Sequence, residues 1–530
     1  MSFRAMTSRL VLAGVLTTGG WLSTVVSAAP ETVPTLQLQA VRLLGGEGLP
    51  LDDLKEVYQP YLGQAVTLAD LEEIRYRLTK QLTDQGYINS GALIVPQQDI
   101  SDGVVEYQLI TGRLEEVQVS GQGRLRAQYI TGRVQPAGVA FNRDRLHERF
   151  QLLLEDPLID RLHGSLVPGS APGEAVLELE VERARPWELS LRTDNHRPPS
   201  TGAERIYLGG TVRNLTGFGD SLTFHGGFAD LEQGREGSLE FRVPLNAQDT
   251  TLQLRYAYTD ATLLEKPLAE LEIASETERV EALIMHPLVK NTTWTLHVGG
   301  GLAWAHNRTT LLGERFDFNI SAVDGESRSS ALRLVQEATW RERNQAFAVR
   351  SIAGWGIDML DATIHHDGRP DTRFFVWSGQ GQYVHQLNDD GLQLVARGAV
   401  QLAGERLLPL EQITIGGAHT VRGYRENTIV SDNGYAGSLE LRYPLWAGQR
   451  WFPQPQTLHI AAFSDLGGGW DHSAYRERDT IASVGLGLLW TLAERAQAEL
   501  YWGHRLESVE AQTDHNLQDD GLHFMARIQF

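Results

Sequence analysis

The sequence predicts two small α+β modules in tandem, over residues 35–113 and 114–185, followed over residues 186–530 by an all-β transmembrane barrel of about sixteen antiparallel strands. Three observations carry this reading. Apolar and polar residues alternate along much of the second half, and in the last ten residues Leu522, Phe524, Ala526, Ile528 and Phe530 are apolar while His523, Arg527 and Gln529 are not. After the first 30 residues no apolar run reaches the length of about 18 that a membrane helix needs. Between residues 35 and 185 the helical and strand periods run through the same order twice.

Taken in order, residues 1–28 read as an export leader: Arg4 and Arg9 precede a mildly apolar stretch from Leu10 to Val26, and Val26-Ser-Ala28 offers a small-residue cleavage site. The first module is expected as a strand over Leu36 to Leu44, helices over Leu51 to Leu62 and Leu68 to Tyr87, and strands over Ala92 to Val95 and Val104 to Ile110. Leu71, Ile74, Leu78 and Leu82 share one face of the second helix. Thr67 and Asp70 form a capping box at its start. The order repeats with a strand at Glu116 to Val119, helices near Leu125 to Val134 and after Asn142, and strands at Ile159 to Leu166 and Ala175 to Val181.

Beyond Arg183-Ala-Arg-Pro186 no long helix is predicted. Thr251-Leu-Gln-Leu-Arg-Tyr-Ala-Tyr258 shows the two-residue period cleanly, with Leu252, Leu254, Tyr256 and Tyr258 on one face and Gln253 and Arg255 on the other. In lipid every backbone donor must be paired, so such strands must close on themselves. Eleven of the twelve tryptophans lie from Trp187 onward, several at strand ends (Trp340, Trp446, Trp470, Trp490), as in an interfacial girdle. An aromatic carboxy-terminus is also expected of a barrel's closing strand.

Composition removes other classes. The chain is 42% hydrophobic and 8% aromatic, which is globular rather than disordered content. A formal charge of -20 repels nucleic-acid phosphates. The complete lack of cysteine removes disulfide frameworks, thiol catalysis and Cys-based zinc sites.

A long connection between Leu402 and Asn433 contains Ile415-Gly-Gly-Ala-His-Thr-Val-Arg-Gly-Tyr424, and the strand Thr457-Leu-His-Ile-Ala-Ala-Phe-Ser-Asp-Leu-Gly467 follows. Alternation puts Asp465 with Phe463 and His459 on the lumen face, opposite Ile460, Ala462 and Leu466. A carboxylate in an enclosed channel favours a cationic partner, and Arg422 on a glycine-rich loop is within reach of it. The alternative is Arg422 in an exposed turn and Asp465 facing lumen water.

Val421-Arg-Gly-Tyr424 resembles the loop motif of the BamA-type outer-membrane superfamily, and Phe463-Ser-Asp-Leu-Gly467 resembles its strand motif; the tandem modules resemble POTRA domains. Two modules rather than a longer array resemble the two-partner secretion transporters, TpsB proteins of the ShlB/FhaC/HecB type. Tyr61-Leu-Gly63, Pro96-Gln-Gln-Asp-Ile100, Gly112-Arg-Leu114, Pro157-Leu-Ile159, Val167-Pro-Gly169, Asp194-Asn195 and Gly437-Ser-Leu-Glu-Leu-Arg-Tyr-Pro444 extend the likeness along the chain.

The resemblance implies an outer-membrane translocator of a Gram-negative bacterium. Its POTRA domains would bind an unfolded exoprotein bearing an amino-terminal secretion domain, and the barrel would pass it outward. It also implies contact with outer-membrane lipid, and with the barrel assembly machinery during biogenesis. Val421, Arg422, Gly423, Tyr424, Phe463, Asp465 and Gly467 are the site residues it carries over, with an Arg422–Asp465 loop-to-wall contact. Such transporters commonly begin with a helix that plugs the pore. Only Ala29-Pro-Glu-Thr-Val-Pro34 precedes the first strand, so the pore is expected to lack that plug and to be obstructed by the loop around Arg422.

No enzyme, cofactor or metal site is predicted. There is no G-x-S-x-G elbow, no H-E-x-x-H and no Walker-type phosphate loop, so nucleotide hydrolysis is not expected. His365-His366 with Asp367 and Asp371 reads as an extracellular turn. The run Asp514-His-Asn-Leu-Gln-Asp-Asp520 reads as a solvated loop, and His286-Pro-Leu288 as a turn between strands. Two other functions fit the same architecture: an insertase for other barrels, and a passive porin.

Overall fold

The computed structural model describes residues 34–134, 140–229, 234–472, 478–493, 495–508 and 514–530. The leader expected over residues 1–28 lies outside them. The first module contains β1 (Thr35–Gln37), β2 (Ala40–Gly45), α1 (Leu51–Tyr58), β3 (Ala65–Thr67), α2 (Leu68–Asp84), β4 (Gly91–Ile94) and β5 (Val104–Ile110). Its main sheet has the order β2-β5-β4, with β2 parallel to β5 and β4 antiparallel to it. Thr67 and Asp70 cap α2 reciprocally: the Asp70 N–H donates to Thr67 Oγ1 at 3.2 Å and the Thr67 N–H to Asp70 Oδ2 at 2.7 Å. Leu71, Ile74, Leu78 and Leu82 are buried along the helix.

One expectation for this module needs correction. Leu36 to Leu44 is two strands, not one. Leu38 turns into the core, and the N–H groups of Gln39 and Ala40 donate to Gly103 O; β1 then pairs with β3 while β2 pairs with β5.

The second module is β6 (Arg113–Ser120), α3 (Ala127–Val134), α4 (Arg143–Leu154), β7 (Ile159–Pro168) and β8 (Glu174–Arg183), with sheet order β6-β8-β7. Asn142 caps α4, its Oδ1 accepting the N–H groups of Asp144 at 3.0 Å and Arg145 at 3.2 Å. Ile130, Val134, Phe141, Leu153, Leu177, Leu179 and Val181 form one core, each large side chain contributing roughly 1.5–3 kcal/mol.

This module and the barrel make one compact unit. The barrel chain runs through β9 (Trp187–Asp194), β10 (Arg205–Arg213), β11 (Ser221–Phe228), β12 (Arg235–Pro244), β13 (Thr251–Thr262), β14 (Ala274–Lys290) and β15 (Trp294–Leu311). A two-residue β16 (Glu314–Arg315) follows, then β17 (Glu326–Arg341), β18 (Gln345–Gly356), β19 (Phe375–Gln386) and β20 (Gln393–Ala403). After the short β21 (Ile413–Ile415) and β22 (Ile429–Ser431) come β23 (Asn433–Gly448), β24 (Gln456–Trp470), β25 (Arg478–Leu492), β26 (Ala496–Arg505) and β27 (Leu522–Gln529). Sixteen of these form an antiparallel wall, which β27 closes on β9 with Met525 opposite Asp194 and Ile528 opposite Leu191.

Closure is what lipid demands of strands, because it leaves no unpaired edge. Leu191, Leu208, Leu254, Leu302, Leu439 and Leu486 stand exposed on the outer face. Trp294 and Trp340 sit opposite one another near two strand ends, their ring centres 6.1 Å apart. His286-Pro-Leu288, expected as a turn, lies inside β14. Pro287 has no N–H for the ladder, so the register shifts between Pro287 and Val289 and Leu288 bulges out exposed.

Two barrel turns hold the second module. The Arg126 N–H donates to Gly217 O at 3.0 Å, and the Arg126 guanidinium lies 3.5 Å from the centre of the Phe218 ring. Arg133 Nε donates to Asp249 Oδ1 at 2.9 Å, and Lys290 pairs with the same carboxylate. A cavity of about 300 Å³ opens beside this ion pair, lined by Arg149 and Leu152 of α4 and by Ala247 and Gln248 of the turn.

Candidate functional site

Residues 404–432 connect β20 to β23 and fold back into the lumen. β21 and β22 pair as a small hairpin, and Ile415, Val421, Tyr424 and Ile429 are buried against Ile481 of β25. Alternation fixes which wall side chains the loop meets. β24 turns Phe463, Asp465 and Gly467 inward, buried, and leaves Ile460 and Leu466 exposed on the outside.

Arg422 is 2% exposed and meets Asp465 three times. Its backbone N–H donates to Oδ2 at 3.0 Å, Nε donates to Oδ2 at 2.8 Å, and Nη2 donates to Oδ1 at 2.8 Å. Nη2 also donates to Ser438 Oγ at 2.9 Å, and Nη1 pairs with Glu440 Oε2. The guanidinium carbon lies 3.6 Å from the ring centre of Phe463 and 4.7 Å from that of Tyr501. A flat fork with five donors suits this arrangement; a lysine ammonium, with its three donors on one nitrogen, could not pair bidentately with Asp465.

Glu440 is shared. Its Oε1 accepts Arg442 Nε at 2.5 Å and the Tyr501 hydroxyl at 3.2 Å. Two guanidiniums thus face two carboxylates with no net charge, which is the condition for keeping ions out of water. Sequence reasoning named Arg422 and Asp465 but missed Glu440, Ser438 and Tyr501. The period of Ser438-Leu-Glu440-Leu-Arg442 already placed all three polar residues on one face.

The neighbouring motif residues act by shape. Gly423 has φ +97°, and a Cβ there would lie 2.8 Å from Gly503 O. A Cβ on Gly467 would meet Ile415 Cγ2 at 2.6 Å and Val421 Cγ2 at 2.8 Å. The Gly423 N–H donates to His523 Nε2 at 3.1 Å, which places that ring's proton on Nδ1. The Tyr424 hydroxyl accepts the Glu507 N–H at 3.1 Å and lies 2.9 Å from Ala482 O.

The 514–520 segment, expected as a solvated loop, is instead the loop's outer seat. Gln518 is fully buried and accepts the Glu426 N–H at 2.9 Å, and Asp519 takes the Arg425 guanidinium at 2.6 and 2.7 Å. Asp519 is engaged by a cation that arrives from another part of the chain, while Asp514, His515 and Asp520 remain exposed as expected. His365 is also structural: its N–H donates to Asp371 Oδ2 at 3.0 Å and its Nε2 lies 3.0 Å from Ser321 O. Among the described residues no group of three His, Asp or Glu side chains has metal-ligand spacing.

The loop packs against the β23–β27 side and leaves room elsewhere. A cavity of about 450 Å³ separates its tip, His419 and Thr420, from the wall of β17–β20. A second, of about 410 Å³, adjoins it through Gln382, Arg397 and His419.

A closed barrel with an apolar outer face, α+β modules before it and an inward loop pinned to the wall define a POTRA-bearing outer-membrane barrel. The comparisons with known proteins narrow this. The family model of haemolysin secretion/activation proteins ShlB/FhaC/HecB matches residues 173–489, and the ShlB-type POTRA domain matches residues 36–112. The chain belongs to that family. It is 22% identical over 410 residues to the heme/hemopexin transporter protein HuxB of Haemophilus influenzae, covering 74% of this chain and 69% of the relative. It is 22% identical over 466 residues to the outer membrane transporter CdiB of Dickeya dadantii, covering 85% and 79%. In fold it resembles CdiB from Escherichia coli, with a TM-score of 0.72 at 19% identity over 96% of this chain and 93% of that one. It also resembles a BamA from Haemophilus ducreyi, with a TM-score of 0.57 at 13% identity over 93% and 100%. The protein is therefore an outer-membrane transporter of two-partner secretion with periplasmic POTRA domains, in a family that partners a secreted exoprotein and is not an enzyme class.

Proposed function

We propose that this transporter binds its exoprotein unfolded, through the POTRA modules, and passes it through the barrel without nucleotide hydrolysis. In this reading the loop around Arg422 sets the resting width of the pore. The observation that carries it is the Arg422 clamp, which holds a folded segment inside a closed lumen at one wall. Capture has a physical route: β7 pairs on one side only, with β8, so an extended client can add a strand by main-chain hydrogen bonds with little demand on its sequence. Lumen faces such as Gln253 and Arg255 let amides pass without being buried in oil. The absence of a Walker-type sequence fits transport that draws on no nucleotide.

Planar-bilayer recording tests the loop's part. The wild type should conduct weakly and Arg422→Ala strongly; a wide-open wild type would overturn the obstruction. Pulldown with residues 30–185 attached to the intact barrel tests the substrate. An extended exoprotein as prey supports secretion, nascent barrel proteins favour insertion, and no prey at all favours a passive pore.

A further inference from the structure

The lumen wall facing the loop tip has a composition that the clamp does not explain. Across β18, β20 and β23 the inward positions Ala348, Ala399 and Ala436 are small.

 Ala348, Ala399 and Ala436 thus form a floor lined by methyl groups. In the outward-facing row between these positions Gly381 pairs with Gly398 and Gly398 with Gly437, so the wall carries no side chain there on its outer face. Glycine at matched positions of neighbouring strands marks a bend or a place where another backbone comes close.

Polar side chains stand among these alanines, because β19 lies between β18 and β20 and Arg397 of β20 also turns inward. Gln380 and Gln382 point inward from β19 at alternate positions and are exposed to the cavity, their side chains making no hydrogen bond among the described residues. Arg350 is neutralised by Glu337 at 3.2 Å. A carboxamide offers a donor and an acceptor together, the same pair that a peptide group presents.

We propose that the trough between β17–β20, the start of β23 and the loop tip binds an extended polypeptide segment by its main chain. The alanine floor admits the backbone closely, and Gln380 and Gln382 take its N–H and C=O groups whatever the side chains are. This deepens the proposed secretion reading and rests on it: the client travels along the wall beside the loop tip, on the far side of the tip from Asp465.

Because the chain has no cysteine, single thiols report cleanly. The full-length protein in nanodiscs, carrying Ala348→Cys, Ala399→Cys or, on the β13 side of the lumen, Arg255→Cys, is treated with an unstructured Gly/Ser/Asn peptide bearing one activated disulfide. Each rate is divided by the rate with a small methanethiosulfonate reagent. The ratio should be about tenfold higher at positions 348 and 399 than at 255, the scale of one or two backbone hydrogen bonds. Adding Gln380→Ala and Gln382→Ala should remove that preference while leaving the small-reagent rates unchanged. Equal ratios at all three positions, or a preference that survives loss of both glutamines, would overturn the trough. Either result leaves the secretion reading to stand or fall on its own prey, since the peptide assay does not use the client.

Discussion

Two arginine–aspartate contacts in this molecule use the same ions to different effect. Arg422 and Asp465 meet buried inside the lumen through three hydrogen bonds, beneath aromatic rings and beside a second carboxylate. Arg133 and Asp249 meet at the barrel rim, next to a cavity of about 300 Å³, with Lys290 sharing the carboxylate. The difference teaches that what surrounds an ion pair decides its worth. Buried charges that lose a partner have no water to turn to, while those at a wet junction do.

The largest effect should come from Arg422→Ala, which strands Asp465 and Glu440 together. A loss of about 3–5 kcal/mol in loop docking is expected, read as rapid labelling of a thiol at Val421→Cys, which is buried in the docked loop; unchanged protection would place the loop's hold elsewhere. Glu440→Gln keeps the shape and removes one charge, leaving Arg442 without its carboxylate. It should cost about 1.5–3 kcal/mol by the same readout. Asp249→Asn should cost only about 1 kcal/mol and loosen the second module, seen as a broadened distance distribution between spin labels on α4 and the barrel rim.

The rim contact also gives a pH dependence. Burial raises the Asp249 carboxyl, but Arg133 and Lys290 outweigh it and hold it below the ordinary aspartate range. A depressed carboxylate contributes stability above its unfolded value and loses it as pH falls through the folded one. The same distance distribution should therefore be narrow at neutral pH and broaden below about pH 4, and Asp249→Asn should abolish that change.

The barrel was legible because lipid and water on opposite faces leave a two-residue period, and strands such as Thr251–Thr262 display it directly. The modules were legible from helix faces such as Leu71, Ile74, Leu78 and Leu82. Three-residue strands were not: β1 and β3 are too short to show a period, so Leu36 to Leu44 read as one strand. In the site, alternation gave the side on which Asp465 stands. It could not show that one guanidinium gathers groups from β23 and β24 at once, because that depends on how far the loop descends. The 514–520 segment misled in part for a similar reason: Asp519 looks solvated until Arg425 is seen to reach it.

Arg422 precedes in the chain every side chain that satisfies it: Ser438 and Glu440, then Asp465, then Tyr501, with His523 holding the next residue from the final strand. During biogenesis the guanidinium must wait in water until those strands are in register. Seating of the loop is thus expected to follow the pairing of those strands, and a pulse-labelled thiol at Val421→Cys should lose reactivity only after the cylinder has become resistant to detergent. A docked loop is a proofreading mark, written by the end of the polypeptide upon its middle.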